Sequence, residues 1–262
     1  MFEFTRYYAR DRVKGTAALT VGLALLTGLY VYMFPSVSGA VDLDSFAESY
    51  PPALVRAFGV ESLGTIEGFL AAELYTFGFV ILLGLYFAYS AASLIAADIE
   101  TERAELLLSL PVTRSRFLLE KFASLLVPLV TINVVMPVVV YVGVLGIDDS
   151  ISIADLVMAH LLSIPYLSTT AAIGLCASVV FDRVSIAQRV AMGLVFALFL
   201  VESVVTGTDV AWLGAISPMR YYDPTNVLVF SEWDLAGAGI LLCATGVLVG
   251  TSTVYFRQTD IS

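Results

Sequence analysis

The sequence predicts an all-α integral membrane protein of six transmembrane helices. A short cytoplasmic helix is expected between the second and third, and a partly re-entrant outer segment before the sixth. Three observations lead there. The 262-residue chain is 59% hydrophobic and only 14% charged, where a soluble domain carries about a quarter of its residues as charges. The apolar residues gather into uncharged runs at 15–41, 74–97, 122–147, 156–181 and 235–256, each longer than the roughly 20 residues needed to cross a hydrocarbon core. A sixth run, 190–201, reaches that length only by continuing through Glu202 to residue 206. Basic residues supply the third observation. With six crossings both ends share one side, which holds eleven Lys and Arg and leaves only Arg56 and Arg220 on the other. By the positive-inside rule the termini lie in the cytoplasm of a multi-pass protein of the cell membrane. Five or seven crossings would spoil the asymmetry.

The expected spans are 16–34, 72–97, 122–145, 155–180, 190–206 and 235–256, all within one domain covering 1–262. Residues 1–14 read as a short amphipathic or irregular lead-in, with Phe2, Phe4, Tyr7 and Tyr8 opposite basic residues, a pattern suited to the membrane interface. Pro35 is expected to stop the first span. In the outer segment 36–71, Pro51-Pro52 starts a short helix at 53–58 that Gly59 closes. The second span carries Ala88, Ala92 and Ala96 on one face, a spacing that lets helix backbones approach closely. Pro128 and Pro137 predict a kink or break in the third. Between the fifth and sixth spans, 207–234 is rich in aromatics, among them Trp212, Tyr221, Tyr222, Phe230 and Trp233. Gly246 and Gly250 lie four apart in the sixth.

Charge and cysteine usage narrow the function. The net charge of −10 divides into about −12 on the outer segments and +2 on the cytoplasmic ones, which argues against capture of nucleic acid or anionic lipid from outside. The scattered acids read as a surface suited to a high-salt habitat rather than as cation ligands. Cys176 and Cys243 fall inside spans, so neither a disulfide framework nor a zinc site is indicated. The first apolar stretch is too long for a typical signal peptide core and reads as an uncleaved span.

No catalytic, cofactor or metal site is predicted. The only lysines, Lys14 and Lys121, complete no Gly-x-x-x-x-Gly-Lys-Ser/Thr phosphate loop. His160 is the single histidine; its pairing with Ser163, one turn away, is poor evidence for a nucleophile and base. Glu73 and Glu202 lie near outer boundaries, where a carboxylate either snorkels to water or lines a substrate path. Asn133, between two prolines, serves either to satisfy freed backbone groups or to contact a substrate. Glu202 and Asn133 are the residues assigned to such a path.

The densest mixed charge lies at 98–121, between two membrane-length runs. Thr101 can cap a helix start, Glu102 suits its first turn, and Pro111 ends it. Leu106, Leu107 and Leu110 form an apolar patch beside Glu102 and Glu105. Such a helix either plugs a groove on a soluble partner or folds back on its own spans and the lipid headgroups.

The stretch Ile99-Glu-Thr-Glu-Arg-Ala-Glu-Leu-Leu-Leu-Ser-Leu-Pro-Val-Thr-Arg-Ser-Arg-Phe-Leu-Leu-Glu-Lys121 resembles the segment after the second span in permease subunits of ATP-binding-cassette (ABC) transporters of the type-2 exporter class. Matching positions are Glu100, Glu102, Arg103, Glu105, Leu106, Leu107, Ser109, Pro111, Val112, Arg114 and Lys121. Ala104 stands where Gly-Thr is usual, and Glu120 where Gly precedes the lysine. Ser217-Pro-Met-Arg-Tyr-Tyr-Asp-Pro224 and Phe256-Arg-Gln-Thr-Asp-Ile261 resemble that family's motifs before and after its last span.

The resemblance implies a pore-forming subunit without ATPase activity, paired with a soluble ABC ATPase subunit that holds ATP and Mg, and with a second, identical or paralogous permease. It makes the 101–110 helix the coupling helix, with Glu100, Thr101, Glu102, Arg103, Glu105, Leu106, Leu107, Leu110 and Pro111 at the ATPase interface. A non-transport membrane assembly or scaffold protein is the alternative, and an intramembrane enzyme a weaker one. The substrate has no legible trace. Lacking a phosphate loop, the purified chain is expected to bind no ATP in equilibrium dialysis; stoichiometric nucleotide binding would refute this reading.

Overall fold

A computed structural model describes residues 3–40, 64–102 and 113–258. Among these, six helical stretches are long and apolar enough to cross a membrane: Arg10–Ser38, Ile66–Ala92, Arg114–Leu145, Ile153–Val180, Val184–Val205 and Leu235–Gln258. The described residues contain no strand. The short outer helix expected at 53–58 lies outside the described residues.

Helix α1 runs unbroken from Glu3 to Ala40, so the expected separate lead-in and the stop at Pro35 are both corrected. Residues 3–14 contain neither Gly nor Pro to interrupt a helix, and Pro35 withholds only the one N–H that would have reached the carbonyl four residues back. Helix α2, Ile66–Ala92, opens on Thr65, whose Oγ1 accepts the Gly68 N–H at 3.2 Å. Its middle, Ala71–Leu83, is wound as a π-helix. Side chains support that winding: the Thr76 hydroxyl donates to the Ala71 carbonyl at 2.9 Å, and Tyr166 of a neighbouring helix donates to that of Val80.

Helix α2 ends at Ala92, and after a turn at 93–95 the short helix α3, Ala96–Glu100, follows. The third span is two pieces, α4 (Arg114–Ala123) and α5 (Leu126–Leu145). Pro128 has no N–H for the Ser124 carbonyl, so Val127 N–H takes it at 3.3 Å and the chain turns at 124–125. Pro137 sits inside α5 without ending it.

Helix α6, Ile153–Val180, is the hub. In its most apolar stretch 72% of residues are buried, against 17% in α7 (Val184–Val205) and in the last span. Helix α6 packs on α2, α5, α7 and the last span, while α1 lies along α5. Lipid tails are as apolar as leucine, so helices associate through close packing and polar contacts rather than hydrophobic drive. Both appear on α6. At Gly174 an added Cβ would collide with the Ala88 carbonyl of α2. Ala88, Ala92 and Ala96 are fully buried with Ala177, Ala187 and Ala191, so the alanine face works inside one subunit. Toward the last span, Thr169 donates to the Leu241 carbonyl at 3.0 Å.

Residues 207–234 fold as two 3-10 turns, Ala211–Ile216 and Pro218–Tyr221, and the short helix α8, Pro224–Leu228. Tyr222, 2% exposed, pins them to α6 by donating to the Ala159 carbonyl at 2.9 Å. Burial pushes its phenol well above its ordinary pKa, which keeps it a donor. Helix α9, Leu235–Gln258, closes the described chain. Gly174→Val should lower the thermal midpoint of the detergent-solubilised protein, by overpacking worth about 1–3 kcal/mol. An unchanged midpoint would contradict the tight crossing at Ala88.

Candidate functional site

The charged island is gripped at its base. The chain leaves α2 through the 93–95 turn, where the Ser178 hydroxyl oxygen of α6 accepts N–H bonds from Ile95 (2.8 Å) and Ala96 (3.1 Å). A serine thereby caps α3 from another helix. Lys121, near the end of α4, then spans the two strokes of the loop. Its ammonium donates to the Leu94 carbonyl at 2.6 Å and to the Asp98 carboxylate. Both side chains are nearly out of water, 4% and 9% exposed. The ammonium also lies 4.6 Å from the Tyr8 ring centre and 5.0 Å from that of Phe117, where the aromatic faces favour a cation.

A second tie joins the same place to α1 and to the turn between α4 and α5. Arg12 Nε donates to the Ser124 hydroxyl at 3.1 Å, and that hydroxyl donates to the Lys121 carbonyl at 2.6 Å. A third reaches α7: Glu100 Oε2 accepts the Val184 N–H at 2.9 Å. A carboxylate there also meets the positive end of the α7 dipole. Arg114 Nη1 donates to the Phe256 carbonyl at 3.3 Å, which brings in the end of α9. The face carrying both ends of the described chain is thus one connected cluster, with the island springing from its centre.

Of the residues expected at a partner interface, Glu100, Thr101 and Glu102 are described; Arg103, Glu105, Leu106, Leu107, Leu110 and Pro111 lie outside the described residues. The Thr101 hydroxyl donates backwards to the Ala97 carbonyl at 2.6 Å, so Thr101 ends α3 and the helix start expected there is corrected. Glu102 follows at φ 56°, the left-handed region, which costs a residue with a Cβ about 1–2 kcal/mol. The chain returns at Thr113, whose side-chain oxygen accepts the Arg116 N–H at 3.3 Å and caps α4.

A second polar cluster lies within the bundle. Tyr75 Oη and His160 Nε2 are 2.9 Å apart, and His160 Nδ1 lies 3.2 Å from Asn133 Oδ1. Ser163 shares its one hydroxyl hydrogen between that same amide oxygen and the His160 carbonyl, each 2.8 Å away, while Asn133 Nδ2 donates to the Leu129 carbonyl at 2.9 Å. One tautomer satisfies everything: Nδ1–H donates to Asn133, and Nε2 accepts from the tyrosine. Ser163 points at the amide and a carbonyl rather than the imidazole, so no nucleophile–base pair forms. Asn133 is 8% exposed and joins α2, α5 and α6 through this network. Glu202 stands near the end of α7, with Oε1 accepting from the Thr206 hydroxyl at 3.1 Å. Glu73 is half-buried in α2.

Asp98, Arg12, Ser124 and Ser178 were not among the residues singled out from the sequence. One signal was present: Asp98 and Lys121 are the charges that border the two long uncharged runs, and opposite charges at the same depth invite pairing. Nothing local to Ser178 or Arg12 announces a partner more than 80 residues away.

The chain matches the family model described as ABC-2 family transporter protein over residues 9–261. No curated protein matches the chain.

Breaking a buried pair leaves one charge uncompensated, which costs about 3–5 kcal/mol, whereas an apolar replacement of both partners is close to neutral. Asp98→Asn and Lys121→Met should therefore each strongly lower the thermal midpoint in detergent. Asp98→Leu with Lys121→Met should recover most of the loss. Equal loss in the double variant would contradict the pairing.

Proposed function

The chain belongs to the ABC-2 transporter family, and on that premise we propose that it is the membrane half of an exporter driven by a separate soluble ATPase. As a member of that family it is a membrane-embedded, non-catalytic permease subunit. The gripped face is read as cytoplasmic in a cell-membrane protein, in agreement with its excess of Lys and Arg. The segment 101–110, entered through the turn at Thr101 and Glu102, acts as the coupling element: Leu106, Leu107 and Leu110 fill a groove on the ATPase, and Glu100, Thr101, Glu102, Arg103, Glu105 and Pro111 border it. Two such permeases and two ATPases make the working unit, with ATP and Mg held by the ATPases.

The observation that carries this reading is the closed base of the island. A loop fixed by the buried Asp98–Lys121 pair and tied by Glu100 to the start of α7 cannot be displaced without moving its attachments. ATP-driven closure of the ATPases then tilts α2 and α7 together and alternates access across the bilayer. Two polar residues line the substrate path in this scheme. Asn133 is committed to internal bonds, so a substrate reaches it only when α5 parts from α6. Glu202 lies at the opposite end, where the partly re-entrant 207–234 segment covers the exit.

Glu102→Lys with Glu105→Lys should leave membrane insertion intact and abolish the permease's stimulation of ATP hydrolysis by the partner. Stimulation at the unaltered level would remove the coupling assignment. Purification from native membranes should recover a soluble subunit with phosphate-loop motifs, identifiable by mass spectrometry. Repeated recovery without any nucleotide hydrolase would favour the scaffold reading instead.

A further inference from the structure

At the end of the bundle remote from the island, α7 is capped by the 3-10 turns of residues 211–221. Two polar atoms in this contact are shut off from solvent without a hydrogen-bond partner among the described residues: Glu202 Oε2 and the hydroxyl oxygen of Ser217, a residue only 1% exposed. A buried acceptor left unmade costs about 1–3 kcal/mol, more when charged, so native proteins rarely keep one without a use for it.

Gly214 explains how the carboxylate reaches its place. An added Cβ there would overlap Glu202 Oε2, so only glycine admits the carboxylate at this point. The same added Cβ would stand 3.2 Å from Arg220 Nη1. A carboxylate and a guanidinium therefore face each other across one glycine, yet they form no ion pair. Arg220 donates instead to the Ala211 carbonyl, a neutral acceptor that offers about half the strength of a charged one.

We propose that Glu202 and Arg220 are a charge latch between α7 and the turns that cap it. In the arrangement seen here the guanidinium is parked on Ala211 and the latch is open. In the second arrangement it closes on Glu202 Oε2, satisfies that oxygen, and clamps residues 211–221 onto the helix end. The parked and closed positions are separated by a rotation of the Arg220 side chain, with Gly214 providing the passage. The latch goes beyond the transport reading and does not rest on it, because both partners and both acceptors belong to this chain.

The test is a mutant cycle read by access to a buried reporter. Val205→Cys places a thiol on the last residue of α7, at a position 7% exposed, with Cys176→Ser and Cys243→Ser removing the native thiols. Labelling of the full chain in detergent by a hydrophilic maleimide then reports how long the cap stays closed. Glu202→Gln and Arg220→Gln should each raise the labelling rate about ten-fold, equivalent to about 1.4 kcal/mol. The double variant should be no faster than either single, and Glu202→Arg with Arg220→Glu should return to within about two-fold of the parent. Rates that multiply in the double variant, or singles that label like the parent, would overturn the latch. Should Arg220→Gln not be recovered, Arg220→Met with Glu202→Gln gives an equivalent cycle. Non-additivity there supports the latch and additivity defeats it.

Discussion

An ammonium and a carboxylate, both drawn almost wholly out of water, hold the most consequential junction in this molecule. The Lys121–Asp98 pair would be a poor bargain on stability grounds alone, since desolvating two charges consumes most of what their attraction returns. Its value lies in direction. An ammonium donates along three tetrahedral lines, and here two of them reach Asp98 and the Leu94 carbonyl beside the ring of Tyr8. That geometry fixes where α2 ends, how α3 is set, and how the far end of α4 lies against both. Greasy side chains could fill the same volume but would tolerate sliding by a fraction of a turn.

The rest of the bundle follows a division of labour around α6. On one side, Gly174 and the alanines of α2 allow backbone-to-backbone approach; on the other, threonine and cysteine side chains reach α9. Between these, the histidine, asparagine, tyrosine and serine cluster cross-braces three spans with every polar atom of the amide and imidazole in use. Helices α7 and α9 bury only 17% of their most apolar stretch and turn apolar faces outward from the bundle.

The six spans and their order were legible because a bilayer imposes one demand, length without charge, that a single sequence displays openly. The alanine face at 88, 92 and 96 was legible for a similar reason, since small residues at helical spacing leave few alternatives to close packing. Local breaks were read less well. Pro128 did break the third span, but the break falls four residues earlier, at the carbonyl that takes the Val127 N–H because the proline has none. Pro35, by contrast, changed nothing. The grip on the island was hidden because its members, Arg12, Ser124 and Ser178, meet only after the chain has crossed the membrane several times. His160 stands out in the sequence only as the single histidine beside Ser163; its side-chain partners, Tyr75 and Asn133, come from two other helices, which no spacing rule foretells.

The wide winding of α2 carries a consequence for how the molecule sits in lipid. Its 27 residues would measure about 40 Å as a regular α-helix, against a hydrocarbon layer of about 30 Å. A rod that much too long must lean or thicken the bilayer around it. Closing each backbone ring one residue later, as Ala71–Leu83 does, makes the rod stouter and shorter. The second span can therefore stand closer to upright than its residue count suggests, while its 84–92 stretch, beyond the wide winding, supplies most of the packing on α6.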